Sequence, residues 1–257
     1  MKKFFASSLI SAAALAAAGV AGSAHADVID FEHPDVTNAP FAPLLSDGDF
    51  LTLGAYYVQA FDPNNNTGSP NGALVASLIN GADPTSCLDG ACPTGNATNY
   101  IGSVDDGVLQ FGRLDKGAAQ LSSFNAAFMV PAGTPAGTMA YLAIEADRPD
   151  NSSAIGVFSL GAVSATGTTA FQTFQAGAAQ IISGTGTLTS AAATFYAFAY
   201  YCDPNSGNCS AFTSNKGQFA LDDIAMNVSA VPEPAQWALM ALGLSAIGAF
   251  ANRRRSV

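Results

Sequence analysis

Few side chains in this 257-residue chain are suited to chemistry, and their types restrict what that chemistry is. Glu32 and Glu145 are the only glutamates before the C-terminal tail. Glycoside hydrolysis needs two carboxyl groups flanking one bond, and Glu145, in Tyr-Leu-Ala-Ile-Glu-Ala-Asp, is a candidate acid. Eighteen acids between residues 27 and 230 supply partners by chance, so none is singled out. His33 is the sole histidine beyond the N-terminal export segment, and no Gly-x-Ser-x-Gly elbow is present. A Ser-His-Asp triad would have to be built around His33 alone. Aromatic pairs offer a different chemistry. Tyr56-Tyr57, Phe195-Tyr196 and Tyr200-Tyr201 lie in alternating runs, where one member of each pair can face outward as a sugar-stacking platform and the other inward as core.

Four cysteines form two local pairs. Cys87 and Cys92 enclose four residues, and Cys202 and Cys209 enclose six, all rich in turn-formers. In an oxidising compartment the local pairing gives two disulfide-pinned loops. Four cysteines allow three pairings, and a zinc site is the alternative, although these spacings are not the usual two-residue knuckle. A further group is acidic. Asp30 and Glu32 fall on the first predicted strand, Asp222 and Asp223 on the last, and Phe31, Leu221 and Ile224 point to the core by alternation.

The elements that position these groups read as strands. Period-two alternation marks Asp27–His33, Phe50–Phe61 with a break at Gly54, Ala73–Ile79, Val108–Leu114, Ala119–Val130, Thr138–Ala146, Ala154–Val163, Thr168–Gln175, Ala193–Cys202 and Lys216–Val228. Turn residues punctuate them roughly every ten positions, as in Asp147-Arg148-Pro149-Asp150-Asn151. Nine to eleven strands of this kind predict an all-β fold, an antiparallel β-sandwich with jelly-roll-like topology. Two stretches lack periodicity, the polar loop Asp62–Asn71 and the Asn80–Tyr100 segment that carries the first cysteine pair. Asn-x-Ser/Thr triplets at Asn65, Asn96, Asn151, Asn208 and Asn227 are weak glycosylation signals in a chain rich in Asn and Thr.

Both ends read as handling signals. Lys2 and Lys3, an apolar Ala-rich stretch and Ala24-His25-Ala26 predict a signal peptide over residues 1–26, a substrate for signal peptidase, with Asp27 as the mature N-terminus. At the other end Val231-Pro232-Glu233-Pro234 precedes about seventeen apolar residues, roughly 26 Å of helix, enough for a thin hydrocarbon core. Arg253, Arg254 and Arg255 then keep the C-terminus cytoplasmic, placing the body across the inner membrane. Between the signals, residues 27–230 keep only Arg113, Lys116, Arg148 and Lys216 against eighteen acids, a net charge of −14. Such a body repels nucleic acid and anionic lipid and is compatible with divalent cations and with neutral or cationic polysaccharide.

The order Val231-Pro232-Glu233-Pro234, apolar helix, terminal arginines resembles the PEP-CTERM sorting signal of Gram-negative bacteria. The resemblance covers residues 231–257 and implies processing by an exosortase, a membrane-embedded transpeptidase-like protease. It also implies a setting of exopolysaccharide, biofilm or floc. Just upstream, Gln218, Phe219 and Asp222 match the Q-F-x-x-D motif of one PEP-CTERM subfamily, which carries no assigned activity. The early Asp-Phe-Glu and late Leu-Asp-Asp-Ile resemble secreted carbohydrate-binding jelly rolls. That resemblance implies paired first and last strands, with Asp30, Glu32, Asp222 and Asp223 gathered around a structural calcium. Calcium takes six to eight hard oxygen ligands, and carboxylates brought together repel unless a cation lies between them.

These readings predict a non-enzymatic protein, exported, transiently membrane-anchored, then released or attached at the envelope as a structural or adhesive matrix component. A carbohydrate-binding module with structural calcium is the alternative, and a polysaccharide-active enzyme a third.

Overall fold

Alternation of apolar and polar residues places one face of most of the longer strands against the other sheet. The computed structural model describes residues 25–228 apart from Gly68, Pro84 and Asp89. The expected signal sequence up to Ala24 and the sorting tail from Val231 lie outside the described residues. The strands in chain order are β1 (His25–Ile29), β2 (Asp35–Asn38), β3 (Leu44–Ser46), β4 (Phe50–Leu53), β5 (Tyr56–Phe61), β6 (Leu74–Asn80), β7 (Asn99–Ser103) and β8 (Val108–Arg113). They continue as β9 (Gln120–Phe128), β10 (Met139–Asp147), β11 (Ser153–Ala162), β12 (Gln172–Gln175), β13 (Gln180–Gly184), β14 (Thr194–Cys202), β15 (Cys209–Ser210) and β16 (Phe219–Val228).

They form two sheets. The smaller runs β12-β9-β16-β7-β6-β3, with β1 also pairing β16. The larger runs β13-β11-β10-β14-β8-β5-β4-β2, with β15 also pairing β14. The chain switches sheets repeatedly, as at β5 to β6, β7 to β8 and β9 to β10, so the two layers wrap one core in jelly-roll-like fashion. Phe31, Leu51, Phe111, Phe124, Phe128, Phe195 and Phe219 fill that core. Phe111 and Phe195, opposite each other on β8 and β14, stack at 5.3 Å. Each buried phenylalanine contributes about 1.5–3 kcal/mol by leaving water. A second apolar cluster, Ile79, Tyr100, Val104, Met129 and Ala220, lies on the opposite face of the smaller sheet.

The predicted run Phe50–Phe61 is a hairpin, β4 and β5, with Leu53 opposite Tyr56. Gly54 takes φ +62 at the first position of the two-residue turn, which glycine accepts without a Cβ clash. The predicted first strand stops at Ile29 instead of His33, although Phe31 is still buried. Five strands had no periodic signal for a physical reason. β7 is buried along both faces and β13 exposed along both, so neither alternates; β2, β3 and β15 are too short to show a period. No helix among the described residues is long and apolar enough to cross a membrane.

Candidate functional site

Strand alternation sorts the aromatic pairs. Tyr56 and Phe195 are in the core, while Tyr57, Tyr196 and Tyr200 stand half-buried on the outer face of the larger sheet. Tyr201 is half-buried and packs against the core. β14 lies between β10 and β8, and this order assembles the face. Tyr196 is opposite Glu145 on one side and Gln110 on the other, and Gln110 is opposite Gln59. Tyr200 is opposite Tyr141, and the two rings stack at 5.0 Å. Gln110 donates to the Tyr57 hydroxyl at 2.9 Å. The Tyr57 ring passes Gly112, where a Cβ would come within 3.3 Å of it, so the glycine lets the ring lie along the sheet. Phe50 packs edge-on against Tyr57, and Phe198 contacts Phe212 from the loop after β15.

Two carboxylates share this surface. Glu145 and Asp147 are two residues apart on β10, about 7 Å along the strand. Neither makes a side-chain hydrogen bond or ion pair among the described residues. Burial pushes the Tyr196 hydroxyl above its ordinary range, and Asp147, Tyr57 and Glu145 add to the shift. Burial does the same at Tyr200, with Tyr141 adding. Both phenols therefore remain protonated donors. The face combines aromatic planes for the C–H faces of a sugar ring with amides, hydroxyls and carboxylates for its hydroxyl groups. Tyr141 was not among the aromatic residues singled out from sequence, because it has no aromatic neighbour in the chain. Its partner is supplied by register.

The structure does not bring Asp30, Glu32, Asp222 and Asp223 together, although β1 and β16 do pair. Among the described residues no three His, Cys, Asp or Glu side chains gather as metal ligands. Each acid has its own donors instead. Asp30 is exposed and accepts from the Glu32 N–H. Glu32 accepts from the backbone N–H and side-chain amide of Asn99. Asp222 accepts from Asn96 Nδ2 at 2.7 Å, Thr98 Oγ1 at 3.1 Å and the Asp223 N–H at 2.8 Å. Asp223, at φ +47 in a break of the β16–β9 register, turns to Asn125. Asp30 and Glu32 follow the end of β1 at Ile29, and each acid has its own N–H donors, so the β1–β16 pairing that the jelly-roll resemblance implied does not gather the four. Glu32 also lines an apolar cleft of about 450 Å³ with Phe31, Pro34, Leu44, Leu78 and Leu88.

The Q-F-x-x-D residues occupy one junction. Phe219 is core, Gln218 is fully buried with its backbone carbonyl accepting from Met129, and Asp222 faces the Asn80–Tyr100 segment. Desolvation raises the Asp222 carboxyl above the ordinary range, while Asn96, Thr98 and the Asp223 N–H pull the other way. The same clasp recurs at the other long loop. Asn65 accepts from Thr67 and donates to Asp47, which is 5% exposed. Two Asn-x-Thr triplets are therefore Asx turns tied to a buried carboxylate. Asp106, also buried, accepts from the backbone N–H groups of Ser214, Asn215 and Gly217 and ties down a third loop. Cys87 pairs with Cys92, and Cys202 with Cys209 across β14 and β15. His33 is exposed in the bend after β1.

Comparison with known proteins adds three facts. No curated sequence matches the chain. A family 11 carbohydrate-binding module from Clostridium thermocellum, solved with a beta-1,3-1,4-mixed-linked tetrasaccharide, is 11% identical, with a TM-score of 0.29 over 74% of this chain and 97% of that one. Residues 230–255 match the PEP-CTERM protein-sorting motif. The chain thus carries a C-terminal motif of the PEP-CTERM protein-sorting type.

Proposed function

We propose that this is a non-enzymatic matrix protein that holds exopolysaccharide on the outer face of its larger sheet. Signal peptidase removes residues 1–26, the tail from Val231 anchors the chain until an exosortase-type enzyme processes it, and the domain from Asp27 to Ala230 reaches the envelope or the exterior. The observation that carries the binding reading is the row Gln59, Gln110, Tyr196, Glu145 with Tyr57 and the stacked Tyr141–Tyr200 pair beside it. Aromatic side chains left half-exposed beside two carboxylates and the Gln59 and Gln110 amides favour a ligand with apolar ring faces and many hydroxyls. The face carries no basic side chain, so uronate or sulfate groups would meet only Glu145 and Asp147. A neutral or amine-bearing chain suits it.

Affinity electrophoresis through neutral, amine-bearing and uronate-rich polysaccharides tests this. Retardation by the first two, lost at least tenfold in Tyr196→Ala and in Tyr141→Ala, is expected. Equal migration of wild type and both variants in every gel would sink the reading. Glu145→Gln should leave glycan chain length unchanged relative to wild type; cleavage by wild type that this variant lacks would convert the protein to an enzyme.

A further inference from the structure

We propose that two copies of this chain associate through the side of the sandwich built by β12, the short 3-10 turn Ala176–Ala178 and β13. These strands terminate the two sheets on the same side of the molecule. From Asn151 to Cys202 the sequence holds no Asp, Glu, Lys, Arg or His, 52 residues in succession. Residues 180–187 are all exposed, with Ile181 at 37% and Ile182 at 58%.

An edge strand presents unpaired backbone N–H and C=O groups, and proteins guard such edges with charges and prolines. The opposite side of this sandwich is guarded in that way. β2 lies between Pro34 and Pro40 and begins with Asp35. β3 is preceded by Pro43 and followed by Asp47 and Asp49. β13 has no such residue.

Charge selects the occupant. A body of net charge −14 repels another copy over most of its surface. Contact through the uncharged side keeps the acids of both copies farthest apart. The register between β13 and β11 slips at Ile182, which a bulge projects outward. Beyond Gly184, Arg148 donates to the carbonyls of Thr185 and Thr187 and engages the backbone. The open edge is therefore only a few residues long, which favours a self-complementary pair over an extended fibre. A pair presents two sugar-binding faces and would join two polysaccharide strands, although the pairing itself does not depend on that reading.

Sedimentation velocity of the full chain, in detergent to cover its apolar tail, tests the proposal over a hundredfold concentration range. A dimer should populate with concentration, more so at higher salt, which screens the acidic repulsion. Ile182→Lys and Gln180→Lys should each raise the dissociation constant at least tenfold with unchanged circular dichroism. Val36→Lys, on the guarded side, should not. A monomer at every concentration would overturn the proposal. So would dissociation by Val36→Lys with none by the two β13 variants, which would place the contact elsewhere.

Discussion

Replacing Asp222 by alanine tests the clasp that holds the Asn80–Tyr100 segment to β16. The carboxylate is 1% exposed and accepts from Asn96, Thr98 and the Asp223 N–H. Thr98 and Asp223 are exposed and regain water when the acceptor is removed. The Asn96 amide is half-buried and loses most. A charge-assisted hydrogen bond contributes about 1.5–3 kcal/mol, and an orphaned donor costs about 1–3 kcal/mol. Removing a buried carboxylate returns part of that through its own desolvation, so a net loss of about 2 kcal/mol is expected. For a domain of this size that lowers Tm by roughly 4–8 °C. The loss should concentrate in the loop, so amide exchange should quicken at Asn80–Tyr100 before it quickens in β10 or β14. A Tm within a degree of wild type, with unchanged exchange in the loop, would refute the clasp. The pH dependence has a definite sign. Asp222 titrates above its ordinary value in the folded state, so the folded state binds the extra proton. Its stabilising contribution is complete below the unfolded value near 3.8 and declines as pH rises through the folded value. Asp222→Asn keeps an acceptor for Asn96 and removes this slope, so wild type should lose stability relative to the variant as pH climbs out of the acid range.

Other outcomes follow from the same structure. Phe111→Ala removes one of two stacked core rings and should cost about 3–5 kcal/mol in denaturant melts. The double variant Cys202→Ser/Cys209→Ser opens a loop of about eight residues and should cost roughly 2–3 kcal/mol, with exchange quickening first around β15. Asn65→Ala unties the Asp62–Asn71 loop from Asp47 and should cost about 1–2 kcal/mol; proteolytic nicking confined to that loop is the readout. Tyr56→Phe, which removes the hydrogen bond to Asp27 inside the face turned from solvent, should leave polysaccharide binding unchanged while Tyr57→Ala weakens it.

Much of this protein was determined locally. Alternation set one member of each aromatic pair outward and the other inward, because successive side chains on a strand must take opposite faces, and the structure chose Tyr57 and Tyr196 as the outward ones. Cysteines enclosing four and six residues rich in turn-formers needed no distant partner. The sorting motif is a linear signal and depends on no fold. What depended on which strands become neighbours was not legible. β14 between β10 and β8 sets Tyr196 against Glu145 and Gln110, and the same order supplies Tyr141 to Tyr200. The acids at the two ends were expected to meet around calcium, and the tertiary structure sent each to a different amide donor. Alternation specifies a face but not the neighbour across it, and the neighbour decides whether two carboxylates share a cation or are satisfied separately.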